Sequence, residues 1–101
     1  MSPITQVNID LCKRYIGILE KTDQDGEGYS SNHHLIGMCQ AIIDRPEMYE
    51  DKQSRFIGFV QAMMIQRGLI DTNSERDLTR PLFHKAYREM GLKIPDSVVI
   101  E

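Results

Sequence analysis

The chain has 101 residues, 41% of them hydrophobic and 27% charged, with a formal net charge of −3. That size suits one small domain with a single core and leaves little room for a deep, enclosed active site. The mild acidity excludes a generic nucleic-acid coat, and no run approaches the about 18 apolar residues that a membrane span requires.

The first predicted helix covers residues 6–21, where Val7, Leu11, Tyr15, Ile18 and Leu19 recur at intervals of three and four and mark one buried stripe. Residues 22–28 follow, with Gly26, Gly28 and several small polar side chains that favour a turn. Asn32 is placed to cap a second helix whose stripe is Leu35, Met38, Cys39 and Ile42. Pro46 ends that helix, because proline disfavours helical geometry in the residue before it and donates no backbone hydrogen bond. Met48 and Tyr49 are expected to plug the connection.

A third helix is predicted over residues 51–67, with Phe56, Phe59, Val60, Met63 and Met64 inward and Gly58 leaving space for a close neighbour. Gly68 is its stop: a left-handed glycine there turns Leu69 and Ile70 back onto the last turn. Thr72 and Asn73 can start a fourth helix, but Pro81 would then fall in its interior. A start at Thr79 puts the proline in the first turn, so a short helical turn followed by a main segment over residues 80–90 is expected. Leu82, Phe83, Ala86, Tyr87 and Met90 form its apolar face and Gly91 closes it. The tail, with Pro95 and Val98-Val99-Ile100, is expected to be extended and able to pack on a neighbour. With no repeat or linker in view, the expected architecture is all-α: one domain over residues 1–101, a compact bundle of about four helices whose third and fourth members form a helical hairpin.

The opening Ser2-Pro3-Ile4-Thr5-Gln6 lacks the basic start and apolar run of an export signal, so a cytoplasmic location is expected. Cys12 and Cys39 fall on apolar helix faces and read as reduced core residues. Residues 23–31 partly resemble the calcium loop of the EF-hand family: Asp23, Asp25 and Glu27 stand at positions one, three and five, and Gly28 stands at the sixth. His34 occupies position twelve, where that family has a bidentate glutamate, so a solvated acidic turn is the preferred reading. Adjacent His33 and His34 point about 100° apart on a helix and cannot share one ion without a special turn. No metal site and no cofactor are expected.

The strongest candidate surface is an edge of the fourth segment. Arg76, Arg80, His84 and Arg88 repeat every fourth residue and so drift by only about 40° per step. Lys52 and Arg55 at the start of the third helix are possible contributors near Arg88 if the two helices pair antiparallel. Guanidinium groups offer paired, fixed donors for phosphates or carboxylates. Residues 52–93 carry eight bases against four acids, which permits an anionic partner. Interleaved Glu75, Asp77 and Glu89 are equally compatible with an ordinary solvated face. No nucleophile stands with a base: Ser30, Ser31 and Ser54 lack a nucleophile-elbow context, and an Asp77–His84 pair has no third member. The chain is therefore read as not an enzyme.

The run from Asp51 through Phe56-Ile57-Gly58-Phe59-Val60-Gln61, then Arg67-Gly68-Leu69-Ile70-Asp71, Glu75-Arg76-Asp77, Thr79-Arg80-Pro81-Leu82-Phe83-His84 and Tyr87, resembles small uncharacterised proteins carried by bacteriophages and prophages. The resemblance implies an accessory protein made inside a bacterial host, of a kind that often binds and disables a host protein or defence complex. Two other readings stand beside it: an oligomeric binder that sequesters an anionic nucleotide signal, and a helix-turn-helix DNA-binding protein, which the acidic total charge disfavours. Self-association through the apolar tail is also expected.

Overall fold

The computed structural model describes residues 1–94, and the expected extended tail beyond them lies outside the described residues. Four helices carry the fold: α1 (Pro3–Lys21), α2 (Asn32–Asp44), α3 (Glu50–Gln66) and α4 (Thr72–Glu89), with a 3-10 turn at Gly28–Ser30 before α2. The architecture is all-α, and there is no strand among the described residues. None of these helices is long and apolar enough to cross a membrane.

Helix α1 is the element the others share. It packs against α2, α3 and α4, while α2 also packs against α3. Its start is one turn earlier than the apolar stripe suggests, because Ser2 accepts a hydrogen bond from the Thr5 amide and Pro3 occupies the first turn, where a missing N–H costs nothing. Leu11, Cys12, Tyr15 and Leu19 of α1 meet Leu35, Cys39 and Ile42 of α2 and Ile57, Val60 and Met64 of α3 in one core.

Partners along α1 fix the directions of its neighbours. Glu50, Gln53 and Gln61 of α3 bond in turn to Ser2, to Thr5 and Asn8, and to Tyr15, so α3 runs parallel to α1. Helix α4 runs the other way, with Glu75 at Arg14 and Tyr15 and its later residues Leu82, Lys85, Ala86 and Glu89 beside Pro3, Gln6, Val7 and Asp10. The expected pairing of α3 and α4 is thus an antiparallel succession through the Gly68 turn, in which α4 takes its main support from α1.

The Gly68 stop is realised in full. Its φ is 74°, the Leu69 amide donates to the Met64 carbonyl and the Gly68 amide to the Ile65 carbonyl, which is the two-bond closure that a left-handed glycine permits. Several local expectations need correction. Ser31, not Asn32, caps α2, since its hydroxyl accepts from the His34 amide and frees the Asn32 side chain for other bonds. Tyr49 is exposed and only Met48 packs as a plug. Ile57 and Gln53 are buried deeper than Phe56, Phe59 and Met63, so the inward face of α3 is rotated from the expected one. Gly58 is exposed, and a Cβ there would meet nothing within 4 Å.

The largest correction concerns Pro81. Helix α4 is continuous from Thr72, capped by Asp71, and keeps the proline in its interior. Pro81 and Asp77 are both exposed, so the Asp77 carbonyl that loses its helical donor is open to water. Buried Glu75 and Ala86 hold the helix to α1 on either side of the proline, which keeps the two halves aligned. The apolar face is also thinner than expected: Leu82 and Met90 are exposed, Phe83 and Tyr87 half-buried, and only Ala86 of the five is buried. Replacing Pro81 by alanine restores a backbone donor at an exposed helical position, and urea unfolding should then show a gain of about 1–3 kcal/mol. A loss of stability would mean that the proline shapes the contact between α4 and α1.

Candidate functional site

Helix α4 presents the basic edge. Arg76, Arg80 and Arg88 are exposed, His84 is half-buried, and all four lie on one continuous helix, so the four-residue spacing holds along the whole row. Among the described residues none of the three arginines forms an ion pair; Glu89 lies 4.0 Å from Lys85, Glu75 is turned into the core, and Asp77 is exposed on the same helix. Half-buried Phe83 and Tyr87 follow Arg80 at three and seven residues, which sets aromatic surface beside the guanidinium groups.

Lys52 and Arg55 do not join this row. Arg55 is 3.7 Å from Asp51 on its own helix. The Lys52 ammonium lies 5.7 Å from the centre of the Phe56 ring, and Phe56 faces α2. The spacing of residues along α3 explains this, because Lys52, Phe56, Phe59 and Met63 share the side that packs on α2.

What holds the basic edge in place is a buried polar cluster. The Glu75 carboxylate, 5% exposed, accepts a 2.5 Å bond from the Tyr15 hydroxyl and a 2.8 Å bond from the Arg14 guanidinium, and Gln61 donates to the same Tyr15 oxygen at 2.8 Å. Three helices therefore meet at one phenol. Burial first, and then the bond to Glu75, push the Tyr15 phenol above its ordinary range, so it stays a donor. A second cluster closes the other end of α1: the Gln53 oxygen accepts from Thr5 and Asn8 while its amide donates to the Met48 carbonyl. No buried side-chain donor or acceptor among the described residues lacks a partner.

The acidic loop has its own closure. The Asp25 carboxylate accepts from the Gly26 and Asn32 amides, and the Arg67 guanidinium donates to the Gln24 and Ser30 carbonyls and to the Asn32 side-chain oxygen. A protein cation thus takes the carbonyls that face the loop's interior, an arrangement unlike that of a calcium loop. Cys12 and Cys39 are buried, free core residues, and a thiol–thiol hydrogen bond followed by burial raises the Cys12 thiol far from its thiolate form.

Between α2 and α3 runs an open groove of about 270 Å³ lined by His33, His34, Gly37, Met38, Ala41 and Phe56. The His34 ring stands edge-on to Tyr29 at 5.2 Å and to Phe59 at 6.3 Å. The sequence reading found these histidines unsuited to share a metal ion and did not place them in a groove; the helical spacing of His34, Met38 and Ala41 with Phe56 and Phe59 opposite is the signal of an aromatic groove.

Comparison with protein-family models, with curated proteins and with solved structures finds no match to this chain.

Two outcomes test the supports of the edge. Glu75→Gln should lower the unfolding free energy by about 2 kcal/mol, mostly through the buried bond to Tyr15; Arg14→Gln, at a side chain more than a third exposed, should cost less than about 1 kcal/mol. Equal losses in urea titrations would show that the ion pair, not the phenol, is the anchor. Asp71, the cap of α4, has its carboxyl held below the ordinary 3.8 by the bond from the Ser74 amide. A depressed carboxyl contributes stability above its unfolded value and loses it as pH falls through the folded one, so the cap should weaken only below pH 3.8. Asp71→Asn, which caps without titrating, should flatten the acid limb of the helical circular-dichroism signal; an unchanged limb would assign the acid sensitivity elsewhere.

Proposed function

We propose that this protein is a non-catalytic accessory protein of bacteriophage type that binds and inhibits a host protein or defence complex in the bacterial cytoplasm. The observation that supports this reading is the outer side of α4: a continuous helix held by Glu75 and Ala86, with Arg76, Arg80 and Arg88 exposed and without intramolecular ion pairs among the described residues. A rigid row of guanidinium forks beside half-buried Phe83 and Tyr87 suits a carboxylate-bearing protein surface, where arginine and aromatic side chains supply most of the contact energy. His84 lies within the row as a further donor. Lys52 and Arg55 are left out, since their positions tie them to Phe56 and Asp51.

The phage context rests on the resemblance over residues 51–87. The helix-turn-helix alternative draws less support, because Asp77 and Glu89 stand exposed on the helix that would have to enter a DNA groove.

The test is a double charge reversal, Arg80→Glu with Arg88→Glu, in affinity capture from host extract followed by mass spectrometry. A host polypeptide retained by the natural chain should be lost with the variant, while the thermal midpoint changes by less than a few degrees. A midpoint that falls in step with binding would sink the proposal, as would retention of the same polypeptide.

A further inference from the structure

We infer that the groove between α2 and α3 is a binding site for a planar aromatic ring bearing an anionic group. It lies on a different side of α3 from the contacts with α1 and does not depend on the α4 edge. Its walls are ring and thioether: Phe56 on α3, His34 and Met38 on α2, with polarisable faces suited to a flat guest. Gly37 and Ala41 keep the α2 side low, and a Cβ on Gly37 would meet nothing within 4 Å, so the space is open to a ligand. The volume of about 270 Å³ accommodates one or two fused rings.

The rim selects charge. The Lys52 ammonium stands over Phe56, 5.7 Å from its centroid, exposed His33 brings at least one N–H donor, and no carboxylate is among the lining residues. A ring seated on Phe56 and His34 therefore leaves an attached carboxylate or phosphate within reach of the Lys52 ammonium, and no carboxylate lines the groove. The His34 ring is already braced edge-on by Tyr29 at 5.2 Å and Phe59 at 6.3 Å, so binding need not fix it anew. Exposed Tyr29, whose ring is otherwise in solvent, then forms the outer end of the same aromatic row.

Two sources carry this chemistry, aromatic carboxylic acids and mononucleotides, and one titration separates them. With the full chain at low salt, the aromatic NMR signals of His34 and Phe56 are followed against indole-3-acetate, adenosine monophosphate, their neutral counterparts indole-3-acetamide and adenosine, and inorganic phosphate. At least one of the two anions should shift both rings saturably, with a Kd on the order of 1 mM, about fivefold tighter than its neutral counterpart. Which anion responds identifies the source. Gly37→Leu, at a helical site with free space around its Cβ, should fold at least as well as the natural chain and abolish the shifts by filling the groove. Lys52→Gln should bring the anion down to the affinity of the neutral ligand. No saturable shift up to 10-fold above that Kd, an undiminished response in Gly37→Leu, or equal response to inorganic phosphate or to the neutral ligands would each overturn the assignment. The Arg80→Glu, Arg88→Glu chain should bind as the natural one does, so the groove and the α4 edge fail or stand separately.

Discussion

Helix α1 buries Thr5, Asn8 and Tyr15 on the same side as Leu11, Cys12 and Leu19, and polar groups taken out of water must find partners there. That requirement dictates much of the packing. Thr5 and Asn8 need an acceptor, and the Gln53 side chain supplies it from α3. Tyr15 needs both an acceptor and a donor, which come from Glu75 on α4 and Gln61 on α3. Apolar contact alone would permit α3 to slide or rotate along α1, whereas hydrogen bonds at Gln53 and Gln61 fix its register at two points. An uncompensated buried carboxylate would be strongly destabilising, so Glu75 also ties α4 to one position on α1.

This anchoring explains why α4 can be so poorly buried. Only two of its side chains are buried, and its interior contains a proline, yet it stands as one helix of 18 residues. An isolated helix with that composition would be marginal. Here the Asp71 cap closes the first turn, Glu75 fixes the next, and Ala86 lets the last turns lie close to α1. The consequence for function is that most of the circumference of α4 is left for something other than folding.

The helices and their stops were legible because their signals are local: the three-and-four spacing of apolar residues, Pro46 after α2, and the Gly68 turn after α3. Placement of the polar residues was harder to read. Gln53 stands four, seven and eleven residues before Ile57, Val60 and Met64, in phase with the buried stripe, and that phase was the available clue to its burial. Glu75 looked like an interleaved surface acid, because its partners Arg14 and Tyr15 lie 61 and 60 residues away in sequence. Pro81 was misread for a related reason: propensity argues for a break, and the two tertiary anchors that override it are invisible along the chain. Of the candidate site, the α4 row could be read from its spacing, whereas the separation of Lys52 and Arg55 from that row depends on which side of α3 meets α2.

The Arg67 clamp has a bearing on the lifetime of the chain in a cell. A protease binds its substrate as an extended strand, and the long acidic loop between α1 and α2, exposed over most of its length, would ordinarily invite cleavage. Its carbonyls at Gln24 and Ser30 are bound to a guanidinium at the end of α3, and Asp25 ties Gly26 to Asn32, so the segment is held in a folded curl. To be cut there, the loop must first let go of Arg67, which couples its susceptibility to local opening of the α3 terminus rather than to its exposure.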